Sequence, residues 1–216
     1  MAVKWPEELV NEAEKNMEPY DVEGFVLGSG DEKADIMIVG EAPGENEAVK
    51  GRPFIGRAGD ELNKHLDYAG LSRNEVYITS VVRSRPYKWV DTNKKGSGGR
   101  RKANRKPNQK EIDAHAHLLD YQIAEMDPKI IIALGGVAYQ RLTGKKDKMT
   151  DVIGQSFQVP VQKKRGTGYE LTEKTYTIIP LYHPAAVFYN PRIKDTIWES
   201  LDHLKSEIEK NSRRKE

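Results

Sequence analysis

Glu41 and Glu47 stand in one glycine-bounded stretch, Gly40-Glu-Ala-Pro-Gly-Glu-Asn-Glu47, which continues into Gly51-Arg-Pro-Phe-Ile-Gly-Arg-Ala-Gly59. The glycines allow positive φ and close backbone approach, and Pro43 stiffens the turn. The run ends where a helix begins, so backbone N–H groups are left pointing outward. Connections between a strand and a helix normally need only a few residues. This one is far longer and carries two carboxylates and Phe54, which is the composition of a ligand-binding loop. A second reactive group, His183, follows an apolar run far along the chain. A third feature is a dense positive segment: Lys88, Lys94, Lys95, Arg100, Arg101, Lys102, Arg105 and Lys106 face only Asp91, with Tyr87 and Trp89 close by. Cations interleaved with aromatics suit a nucleic-acid backbone and its bases.

Positioning these residues requires a scaffold, and the hydrophobic spacing predicts one. Leu9, Ala13 and Met17 share a helical face over 6–17, with acids in the first turn. Ile36, Met37, Ile38 and Val39 form a buried strand that ends in Gly40, and 58–69 returns to helical spacing before Gly70. A second strand is expected over 75–82, a helix over 108–126, a third buried strand over 129–134 and a short helix over 135–142. Residues 156–181 read as a hairpin feeding a last central strand, and 193–210 as a closing helix. Alternating strands and helices imply a parallel sheet covered on both faces. Ligands collect at the carboxyl ends of such strands, where both the Gly40 loop and His183 fall. Residues 84–107 read as a basic, flexible, glycine-rich loop, and Arg213, Arg214 and Lys215 as a frayed basic tail.

Composition narrows the function classes. The chain has 216 residues, which suits one domain spanning 1–216. No apolar run approaches the length of a bilayer crossing and the first residues carry no secretory signal, so a cytoplasmic location without membrane attachment is expected. The absence of cysteine excludes disulfides, thiolate zinc sites and cysteine-held clusters. His115 and His117 lie two apart on a helix and face different sides, so no metal site is expected. The net charge is only +2, so the basic segment is a local feature.

The segments GEAPGENEAVKGRPFIGRAG, VYITSVVRSRP, KIIIALGGVA and YHPAAV, in that order, resemble the family-four uracil-DNA glycosylases. The resemblance implies a three-layer α/β/α sandwich around a four-stranded parallel sheet, and hydrolysis of the bond between uracil and deoxyribose in DNA. It also implies an iron–sulfur cluster held by four cysteines, two of them at the places of Ser84 and His115. None is present here, so the chain is expected to be free of cofactors. Where the family reads the base with an Asn, this chain has Ser80. A related basic stretch carries a His that bonds covalently to the sugar; here that place is Asn104, so covalent trapping is not expected.

The resemblance also suggests roles. Glu41 would orient the water, with Glu47 as second carboxylate or loop brace, and His183 would donate a hydrogen bond to the base as negative charge grows on it. Gly40, Ala42, Pro43, Gly44, Phe54 and Ser80 would bind the base, Phe54 by stacking. Arg52, Arg57, Ala185, Phe188, Lys94, Lys95, Arg100, Arg101 and Lys102 would meet DNA, and Val187 and Tyr189 are further apolar candidates for wedging into the stack. The expected protein is a monomeric uracil glycosylase of base excision repair. A non-cleaving binder of damaged DNA and a glycosylase for another deaminated base, such as hypoxanthine, remain the alternatives because of Ser80.

Overall fold

The computed structural model describes residues 5–92 and 99–213. Helix α1 (Glu7–Met17) places Glu7 and Glu8 at its positive end and buries Ala13 and Met17. Strands β1 (Val22–Glu23) and β2 (Ser29–Gly30) follow, then β3 (Ile36–Gly40), buried at every residue. Gly44 and Gly56 precede helices α2 (Glu45–Lys50) and α3 (Arg57–Tyr68). Next come β4 (Tyr77–Ser80), β5 (Arg85–Asp91) and β6 (Arg100–Asn104). Helix α4 (Gln109–Met126) opens on a capping box. The Asn108 side chain accepts from the Glu111 amide at 3.0 Å, and the Glu111 carboxylate accepts from the Asn108 amide at 2.8 Å. The chain continues through β7 (Ile130–Leu134), α5 (Gly136–Thr143), α6 (Met149–Val152), β8 (Phe157–Arg165) and β9 (Gly168–Leu181). It then passes through α7 (Ala186–Tyr189) and a 3-10 turn to α8 (Lys194–Arg213). Among the described residues no helix is long and apolar enough to cross a membrane.

The main sheet has the order β2-β4-β3-β7-β9-β8. Its inner strands β4, β3, β7 and β9 are mutually parallel, while β2 and β8 join the two edges antiparallel. The expected four-stranded parallel sheet is therefore a six-stranded mixed sheet. The extra strands carry no continuous apolar run: β2 is Ser-Gly, and most of β8 is partly exposed. Side chains alternate between faces along each strand. Met37 and Val39 pack with Ile131 and Ile178 toward α4 and α5, whereas Ile36 and Ile38 pack with Ile132 and Ile179 toward α3 and α8. Helices thus cover both faces of the sheet.

Residues 84–107 differ from the expected flexible loop. β5 and β6 pair antiparallel from Tyr87↔Asn104 to Asp91↔Arg100, and β1 adds to β5 to make a separate sheet of order β1-β5-β6. Cross-strand contacts explain why so polar a segment forms strands. Lys102 sits over the Tyr87 ring at 4.1 Å and pairs with Glu23, and Arg100 pairs with Asp91. Lys94, Lys95, most of the glycine-rich turn, Arg214 and Lys215 lie outside the described residues.

Candidate active site

β3 ends at Gly40 and β9 at Leu181, with β7 hydrogen-bonded between them, so the carboxyl ends of both strands reach one edge of the sheet. A cleft of about 500 Å³ opens there. Glu41, Ala42, Pro43, Gly44, Glu47, Phe54, Ser80, His183 and Ala185, drawn from widely separated parts of the chain, line it together. Gly40 lies beneath the lining: a Cβ there would meet the Phe54 ring at 2.7 Å, so only glycine lets the ring sit so close to the strand end. Arg52, Arg57 and Phe188 lie outside the lining, and the Arg57 guanidinium stacks over the Phe188 ring at 4.5 Å. Arg100, Arg101 and Lys102 occupy β6, whose last residue, Asn104, reaches the cleft together with Arg105 and Lys106 that follow it.

The loop is held by specific bonds. Glu47 Oε1 accepts from the Ile55 amide at 3.1 Å while the residue lines the cleft, so it ties the two halves of the loop together. Phe54 has φ of +50°, an unfavourable region for an aromatic residue. Arg73 holds it there, donating from Nη1 to the Phe54 carbonyl at 2.9 Å and from Nη2 to the Pro53 carbonyl at 2.7 Å. The Phe54 ring faces His183 with centroids 5.5 Å apart. Arg73 stands between two predicted elements and was not singled out by sequence; nothing local distinguishes it from a surface arginine.

The titratable groups are perturbed in opposite senses. Burial raises the pKa of Glu41, and Lys106 partly counters this. Burial pushes His183 down to about 4, so its imidazole is neutral at pH 7. The Ala185 amide donates to His183 Nδ1 at 3.2 Å, which leaves the proton of the neutral ring on Nε2. His183 is therefore a neutral hydrogen-bond donor. Ser80 is buried, and its hydroxyl donates to the Val82 carbonyl at 2.8 Å, so the oxygen offers only lone pairs to anything in the cleft. Glu45, Asn46, Arg105 and Lys106 also line the cleft and had not been assigned to it from the sequence; Asn104 had been weighed only as a covalent position.

The family model for the uracil DNA glycosylase superfamily matches residues 27–205. The chain belongs to this superfamily. It is 38% identical to a type-4 uracil-DNA glycosylase of Sulfurisphaera tokodaii, over 83% of this chain and 73% of that protein. It is 37% identical to the Saccharolobus solfataricus protein of the same name, over 85% and 76%. For the type-4 uracil-DNA glycosylase of Thermotoga maritima the identity is 34%, over 86% and 83%. Every cleft-lining residue lies within the span that the superfamily model matches.

The residues present do not fit the iron–sulfur cluster that the resemblance carries with it. The chain has no cysteine. Ser84 and His115 are both buried, and His115 Nδ1 accepts from the Arg83 amide at 3.4 Å. Burial, and then the Arg83 charge, push His115 down to about 3. Among the described residues no group of three or more His, Cys, Asp or Glu is placed to hold a metal ion. Beside Ser84 the structure instead has Met17 in the core and the β1 to β5 pairing.

Proposed function

We propose that this protein is a DNA glycosylase that hydrolyses the bond between uracil and deoxyribose in DNA, a step of base excision repair. The observation that carries the reading is the cleft itself, where a neutral His183 with its proton on Nε2 and a half-buried Glu41 come from the carboxyl ends of two parallel strands in a superfamily member. Breaking the glycosidic bond sends an electron pair onto the base. The pair leaves C1′ with N1 of the base, and the His183 Nε2–H stabilises the negative charge that spreads onto O2 of the departing uracil. Glu41 orients a water toward C1′ and takes its proton as the hydroxyl joins the sugar, a task that a raised carboxyl pKa assists. Glu47 braces the loop and Phe54 stacks on the extruded base.

Ser80 shapes base choice. With its proton donated to Val82, its oxygen accepts from a base N–H, such as N3–H of uracil, and repels the bare N3 of cytosine. Gly40, Ala42, Pro43 and Gly44 shape the backbone side of the pocket. Arg52, Arg57, Ala185, Phe188, Arg100, Arg101 and Lys102 contact DNA around it. The protein acts as a single-domain monomer. The test incubates purified protein with oligonucleotides carrying uracil or hypoxanthine and cleaves abasic sites with alkali. Product on uracil supports the proposal. Product on hypoxanthine alone assigns the activity to another deaminated base, an alternative that the Ser80 arrangement also accommodates. Binding of damaged DNA without product would make the protein a non-cleaving binder.

A further inference from the structure

Trp89 is 48% exposed, an unusual state for the largest apolar side chain. It lies on β5, and directly paired residues of an antiparallel ladder share a face. The pairs Tyr87↔Asn104, Trp89↔Lys102 and Asp91↔Arg100 therefore place these six side chains on one face of the β5–β6 hairpin. Along that face the order is fixed. Asn104 lines the cleft, Tyr87 stands opposite it, and Trp89 and Lys102 lie one step further out. Two residues along a strand advance roughly 7 Å. Asn104 is anchored there because Arg85 Nε donates to its Oδ1 at 2.7 Å, and Arg85 is itself paired with Glu23.

The Trp89 ring is positioned for a partner on its open side. Tyr87 packs edge-on against it, with centroids 5.9 Å apart at 83°. Lys102 Nζ lies over both rings, 4.1 Å from Tyr87 and 5.7 Å from Trp89. One ring is therefore covered by a cation, and the other retains a large exposed surface. The surrounding charge is positive. On the Trp89 face Lys102 and Arg100 are paired with Glu23 and Asp91, and Arg105 beyond them with Glu111. Lys88 and Arg101 alternate onto the other face of the hairpin and, like Lys106 at the cleft, form no ion pair with another described residue, so they add to the positive charge around it. An aromatic surface framed by cations, continuous with a base-sized cleft, has the chemistry of a stacking platform for unpaired nucleotides. In a duplex both faces of each base are occupied by neighbours, so only a single strand can use it.

We infer that Trp89, with Tyr87 and Lys102 behind it, stacks an unpaired base of the DNA strand whose uracil occupies the cleft, which makes single-stranded DNA the favoured substrate. This inference rests on the proposal that the cleft acts on DNA. The test keeps the two apart by using uracil-free DNA. The full-length protein is titrated with a single-stranded thymidine oligonucleotide and with a duplex of the same length, and tryptophan fluorescence is followed. Trp5 and Trp198 are partly buried, so the wild-type quench by the single strand reports on Trp89. Trp89→Ala is expected to remove most of that quench and to lower single-strand affinity, read by anisotropy of labelled DNA, about tenfold more than duplex affinity. Trp89→Phe, which keeps an aromatic face, is expected to retain most of the affinity and guards against a folding defect in the alanine variant. An unquenched wild type, equal losses on both DNA forms, or a Trp89-dependent self-association in place of DNA binding would each overturn the inference. Uracil release measured in parallel decides the glycosylase reading separately.

Discussion

Replacing His183 with Ala should lower the single-turnover rate of uracil release on the order of a hundredfold or more at pH 7. The magnitude follows from what the structure gives that side chain. With a pKa pushed down to about 4, roughly one molecule in a thousand carries an imidazolium at pH 7, so the stabilising group is a neutral N–H. The Ala185 amide on Nδ1 pre-orients that donor, and a pre-oriented donor in a buried site is typically worth about 3 to 4 kcal/mol in the transition state. The rate should therefore show no loss between pH 6 and 9 in the wild type, because no proton leaves His183 there. Its acid limb belongs to Glu41, whose carboxyl must be ionised and whose pKa burial raises above the usual carboxylate value. His183→Ala should keep the acid limb and lower the plateau, whereas Glu41→Gln should lose the limb as well as the rate. The assay is single-turnover release from an end-labelled uracil oligonucleotide, quenched into alkali over a pH series. A wild-type rate that declines as pH rises from 5 to 8 would show a cationic histidine and refute the tautomer argument. Near wild-type rates for both variants would remove the cleft from the chemistry.

Three further outcomes are expected. Ser80→Asn supplies an amide donor and acceptor where only lone pairs now face the cleft, so uracil release should rise relative to hypoxanthine release; an unchanged ratio of single-turnover rates would show that base reading lies elsewhere. Gly40→Ala puts a methyl group 2.7 Å from the Phe54 ring, which Arg73 prevents from retreating, so it should cost about 1 to 3 kcal/mol in urea unfolding and slow uracil release. Stability should fall with acidification. His115 and His183 are held neutral when folded, at about 3 and about 4 against an ordinary 6.5, so below pH 6.5 the unfolded chain binds protons that the folded chain refuses. Their contribution is intact above pH 6.5 and is lost as pH falls toward 4, by roughly 2 kcal/mol each at pH 5. Equal urea midpoints at pH 7.5 and 5 would contradict it.

The parts of the fold that sequence revealed are those whose burial leaves a one-dimensional mark. β3 and β7 are covered on both faces, so they appear as unbroken apolar runs, and α3 keeps Leu62 and Leu66 at helical spacing ahead of Gly70. The β5–β6 hairpin leaves a mark of another kind. Its ordering comes from contacts across the ladder, Lys102 on Tyr87 and Arg100 with Asp91, and these residues are adjacent only once the strands pair. In the chain they read as charge and glycine, which is also the composition of a solvated loop. The edge strand β2 is two residues without an apolar side chain, so no periodicity could register it.

The candidate site divides along the same line. Glu41 and His183 sit just past strand ends and Phe54 in the loop between α2 and α3, each beside a glycine or proline, where unusual backbone announces itself, and the structure brings all three to one cleft. The residues that determine how those groups behave are silent in sequence. Arg73 works through two carbonyls, Ala185 through an amide, and Val82 by accepting the Ser80 proton, and every residue has those backbone atoms. Their effect is nonetheless decisive: the Ala185 amide sets the His183 tautomer, and the Val82 carbonyl turns Ser80 from a donor into an acceptor. Asn104 and Lys106 reach the cleft only because β6 is held against β5, and β5 against β1, at the place where the resemblance expects cluster-binding cysteines and this chain has none. In this superfamily member, strand pairing and the contacts of Glu23 with Arg85 and Lys102, and of Arg85 with Asn104, position the wall of the cleft that carries Asn104 without any cysteine-held group.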